Sequence, residues 1–95
     1  MPYIERIYRP VIDKYVDHLG GFLKSEGDLN YAITTLLNKW IMDEGLCYKN
    51  LNSAIGVLEC AKLEMYRRVA APYEDKKIEE NGDVYDAPEG TWVSF

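Results

Sequence analysis

The chain has few of the residues from which most catalytic and metal sites are built. It holds one histidine, His18, and two cysteines, Cys47 and Cys60. Two cysteines are too few for a disulfide framework, and these do not form a Cys-x-x-Cys pair. They read as reduced, buried thiols. His18 stands beside Asp17, and adjacent residues of a helix face different ways, so the pair reads as surface rather than as a general base. No metal-ligand spacing, Gly-rich phosphate loop, Gly-x-Ser-x-Gly or Cys–His pairing is present. No catalytic residue, metal or cofactor is expected, and the chain reads as a non-enzyme.

Positive charge is also scarce. The formal net charge is -5, which argues against a nucleic-acid polymer as partner, because non-specific phosphate binding needs an excess of Lys and Arg. A small nucleotide needs only two or three well-placed cations and stays open. Long apolar runs are missing. The longest fall far short of the roughly 20 residues that span a bilayer. No apolar stretch of signal-peptide type follows the charges of Met1–Pro10. No membrane partner and a cytoplasmic location are expected.

What the chain does have is aromatic residues: eight Tyr, two Trp and two Phe in 95 residues. Tyr suits surfaces that are half buried and half wet, such as interfaces and ligand sites. A chain of this length makes one domain with a modest core. The predicted fold is all-α: three main helices and a short C-terminal one, packed as a small bundle over residues 1–82, with a tail over 83–95. A homo-oligomer is expected, because the aromatic excess is more than one small core can bury.

Residues 1–9 read as a lead-in, and Pro10 as the first helical position, where its missing N–H costs nothing. Val11, Ile12, Tyr15, Val16 and Leu19 then recur at helical spacing until Gly20-Gly21, with Phe22 and Leu23 as a possible last half-turn. Ser25 and Asp28 have capping-box spacing, and Asp28 is itself a possible N-cap for a second helix over about 28–43. Gly45 is its expected stop. Asn50 is a good N-cap for a third helix, whose Leu51, Ala54, Ile55, Leu58, Ala61, Met65 and Val69 place Leu58 at the centre of the core. Pro72 is expected to end or kink this helix near residue 70. A fourth helix over about 72–80 then stops at Asn81-Gly82. The tail carries an apolar end, Trp92-Val93-Ser94-Phe95, on a polar tether.

Three candidate sites stand out. In the second helix Asn30 falls inside the apolar arc, next to Tyr31, with Thr34 on its edge. In the third, Glu59 and Lys62 lie three residues apart on what reads as an inward stripe. Buried polar groups must be paired or wet, since leaving one unsatisfied costs about 1–3 kcal/mol. The stripe is either a register-fixing network or the lining of a pocket or interface. The second candidate is cationic: Arg67, Arg68, Lys76 and Lys77, with Tyr66 and Tyr73 beside them. Arg forks grip phosphate, and tyrosines stack on bases. The plainer reading is a solvated helix end, where cations complement the dipole and Glu64, Glu74, Glu79 and Glu80 supply partners. The third is the second helix's N-terminus after Gly27, an anion site in principle, but Asp28 repels an anion there.

Ala61–Glu64, Tyr66–Val69, Ala71–Ile78 and Glu80–Tyr85, together with Met1-Pro2-Tyr3-Ile4 and Gly27–Tyr31, resemble a family of small bacteriophage and bacterial proteins of unassigned activity. The likeness covers residues 1–85; the last ten look peculiar to this chain. It implies no site residues. By looser analogy of size, setting and composition, the chain resembles phage sponges, which sequester nucleotide-derived immune signals of bacterial defence. That analogy implies a binder of a small anionic nucleotide in the host cytoplasm, using Arg67, Arg68, Tyr66, Tyr73, Lys76, Lys62, Glu59, Asn30 and Tyr31. The alternative is a homo-oligomeric structural or interaction module without such a ligand.

Overall fold

A computed structural model describes residues 1–85. Every regular element among them is helical, with no strand: α1 (Arg9–Gly20), α2 (Glu26–Glu44), α3 (Tyr48–Met65) and α4 (Ala71–Asn81), with a 3-10 turn at Arg6–Tyr8 and a π-helical turn at Tyr66–Ala70. The fold class is all-α. The chain divides into two units, Met1–Ala61 and Lys62–Phe95, which are described in turn. The apolar end of the tail lies outside the described residues.

In the first unit, Pro10 stands in the opening turn of α1. The lead-in is not featureless, because the Arg9 Nε donates back to the Ile4 carbonyl at 2.9 Å. After Gly20 the chain tightens: the Phe22 N–H donates to the Leu19 carbonyl at 2.9 Å and Leu23 to Gly20 at 3.3 Å. Ser25 caps α2 in a complete capping box. The Asp28 N–H donates to Ser25 Oγ at 3.0 Å. The Asp28 carboxylate accepts from the Ser25 N–H at 3.1 Å and the Lys24 N–H at 3.0 Å. α2 therefore starts at Glu26, and Asp28 is the third helical residue, not the cap.

The backbone N–H groups of Lys24 and then Ser25, with a smaller contribution from the Ser25 hydroxyl, hold the Asp28 carboxyl below the usual aspartate range. A pKa lowered on folding adds stability that is present above the unfolded value and is lost as pH falls through the folded one. Helicity followed by circular dichroism is expected to drop from roughly pH 4 downward. Asp28→Asn should flatten that part of the curve. Ser25→Ala should cost about 1 kcal/mol at neutral pH.

α2 ends at Gly45, whose φ of +116° favours glycine and whose N–H donates to the Ile41 carbonyl at 2.8 Å. Asn50 is not the cap of α3, which begins earlier, at Tyr48. Its amide instead donates to the Gly45 carbonyl at 2.8 Å and closes the connection. The 3.6-residue period located the helix, but a side-chain bond to the preceding turn moved its start.

The packing differs from the sequence expectation in several respects. In the Met1–Ala61 unit, α1, α2 and α3 do not pack on one another as a bundle. Among the described residues only Ala54, at 5% exposure, is buried. Leu58 is 41% exposed and centres no core within the chain. Cys47 and Cys60 are exposed rather than buried thiols. Glu59 and Lys62 are exposed, so the stripe they share is not inward, and Asn30 is exposed as well. The cause is common to all of these. Helical periodicity makes an apolar face but does not supply the surface opposite it.

In the second unit, Pro72 does not end the helix. Met65, Ala70 and Ala71 all keep right-handed helical angles, and the Ala71 N–H donates to the Tyr66 carbonyl five residues back. A regular α-turn would press the Pro72 ring against the Arg68 carbonyl and leave that carbonyl without a donor. Widening the preceding turn to π geometry relieves both, and α4 resumes with Pro72 in its first turn. Gly82 closes α4 at φ +88°, its N–H donating to the Ile78 carbonyl at 2.8 Å.

Candidate functional site

The cationic residues sit on two successive elements of the second unit, the π turn and α4. Arg67 is committed. Its Nε donates to Glu64 Oε1 at 2.8 Å, and its Nη2 reaches both carboxylate oxygens of Glu64. The Glu64 side chain is only 19% exposed, against 65% for Arg67, so the carboxylate holds the fork against the helix. Lys77 bonds Glu80 at 3.2 Å and also lies 5.5 Å from the centre of the Tyr73 ring. Arg68 and Lys76 have no ion pair among the described residues. Tyr66 and Tyr73 are exposed. The cations left for an anion are therefore Arg68 and Lys76, while Arg67 would first have to leave Glu64.

A hollow of about 300 Å³ on the same unit was not foreseen from the sequence. The turn at Asn81-Gly82-Asp83 folds the chain back, and the Tyr85 N–H donates to Asp83 Oδ1 at 3.0 Å. Lys77, Ile78, Val84 and Tyr85 then line the hollow, with Glu74 and Asp83 among its walls. Those carboxylates oppose an anion. The Asn-Gly-Asp string was the signal available, since such strings turn the chain.

On the first unit, Asn30 and Tyr31 line an open hollow of about 590 Å³ with Glu26, Gly27 and Thr34. The Thr34 hydroxyl donates to Asn30 Oδ1 at 3.2 Å, so part of the amide is already used on its own helix. Tyr31 also borders an apolar groove of about 470 Å³ where α1 gives way to α2. Leu19, Phe22, Leu23, Ala32 and Leu36 line it. Glu59 belongs to this unit and Lys62 to the other. Within each unit the structure places some candidates side by side, Asn30 with Tyr31 above all. It gathers no group of three or more His, Cys, Asp or Glu side chains suited to a metal ion among the described residues. No described helix is long and apolar enough to cross a membrane.

Residues 1–84 match the family described as a domain of unknown function, DUF6899, and the chain belongs to that family. No curated protein and no solved structure matches it.

Proposed function

We propose that this protein is a self-assembling helical subunit, a homo-oligomeric interaction module whose core forms between chains. One observation carries the reading. The apolar faces of α1, α2 and α3 are exposed, and Ala54 alone is buried among the described residues. A soluble chain rarely leaves such faces open, because contiguous apolar patches beyond a few hundred Å² mark interaction sites. Light scattering tests this directly. A mass of at least two chains is expected at micromolar concentration, and a persistent 11.0 kDa species would refute it.

A second reading is that the assembly holds a small anionic nucleotide signal, as a phage sponge would. What supports it is the exposed set Arg68, Lys76, Tyr66 and Tyr73, with Lys77 already beside an aromatic face. The test is incubation with cyclic dinucleotides and cyclic ADP-ribose isomers, then heating and chromatography. Intact release is the sponge result, and an altered product would mean catalysis. Arg68→Ala should weaken binding by about 1.5–3 kcal/mol, roughly tenfold or more. Arg67→Ala should lose less, since Glu64 already occupies its fork. Equal losses would place the ligand on Arg67 as well. No depletion of any nucleotide leaves the interaction module alone.

A further inference from the structure

The apolar positions of α2 are not scattered. Leu29, Ile33, Leu36 and Trp40 follow one another at spacings of four, three and four, the seam that packs a helix against another helix. The same rhythm runs through Ile12, Tyr15 and Leu19 of α1 and arrives at Phe22. None of these side chains is buried; Leu36 is 69% exposed and Trp40 is 42% exposed. Where the two runs meet, the apolar groove opens, with the small Ala32 and with Leu36 among its lining residues.

We infer that the α2 seam and this groove are the surface on which a second copy of the chain seats. The inference rests on the self-assembly reading and gives it an address. Area selects the occupant. A buried aliphatic side chain removes on the order of 60–120 Å² from water and an aromatic one about 150–250 Å². At their present exposure, the α1 and α2 seams and Phe22 offer on the order of 600 Å². That is most of the about 800 Å² per partner in a standard stable interface. A small ligand in the groove would cover Phe22 and Leu36 but leave Ile33 and Trp40 wet. A helix-bearing partner covers the whole run, and a copy of this chain brings a seam of matching length and rhythm. Asp28 and Lys39 also line the groove, Lys39 tied to Asp43 at 3.0 Å on its own helix, and they give the apolar surface a charged rim.

The test pairs two variants with one spectroscopic reporter. Leu36→Lys places a charge in the middle of the seam and should reduce the mass to one chain. Asn38→Lys, two residues on and on the opposite side of α2, should leave the mass unchanged. Should Leu36→Lys unfold the protein, Trp40 fluorescence in a Trp92→Phe background answers the same question without touching the seam. Its emission should shift to the blue as concentration rises, in step with the mass. Assembly with unchanged Trp40 emission would overturn this surface while leaving self-assembly intact. A single-chain mass with full helicity at every concentration would overturn both, and would leave the seam to a different protein.

Discussion

The melting temperature is expected to fall as the protein is diluted. A chain that buries its apolar faces only against another copy links folding to association, and each tenfold change in concentration then changes the stability of a dimer by about 1.4 kcal/mol. For a unit of about 190 residues this corresponds to roughly 3–5 °C per tenfold dilution. Leu58→Ala sharpens the result. At 41% exposure in the single chain, Leu58 has little cavity to leave. In an assembly that covers it, the same truncation should cost about 2–5 kcal/mol. Denaturant titrations at two concentrations read both quantities. A melting temperature constant over a hundredfold dilution, with full helicity and a loss below about 1 kcal/mol for Leu58→Ala, would refute coupled folding and association.

Replacing Pro72 is expected to stabilise the protein, against the usual direction for a mutation. Proline inside a helix costs about 3 kcal/mol relative to alanine. The π turn Tyr66–Ala70 recovers part of that cost here. Pro72→Ala supplies an N–H that can bond the Arg68 carbonyl in a regular α-turn and removes the ring that α geometry would press on it, so the turn should relax to α geometry. A gain of up to about 3 kcal/mol should appear as a higher melting temperature, with the new amide at position 72 protected from exchange. A loss of stability would mean that contacts other than the proline hold the π turn. The variant also separates the two functional readings. Rewinding the π turn to α geometry rotates Tyr66–Val69 by about 100° relative to α4. If Arg68 on the turn and Lys76 on α4 act together on one anion, binding should collapse while stability rises.

The local architecture was legible in the amino-acid sequence because its causes are local. Pro10, the Ser25–Asp28 box, Gly45 and Gly82 act within one turn of where they stand, through a missing N–H, a paired side chain or a positive φ. The all-α class followed from spacings of three and four. What the sequence left undecided is what each apolar face meets. Periodicity put Leu58, Ile33 and Trp40 on faces and made Glu59 and Lys62 look inward. Only the tertiary arrangement leaves those faces without a covering helix in their own unit. The same holds for Arg67 and Arg68, adjacent and chemically identical. The fold assigns one to Glu64 and leaves the other without an ion pair among the described residues, because a pairing at i and i+3 depends on how the turn is wound. Burial and pairing are properties of two surfaces at once, and one helix specifies only its own.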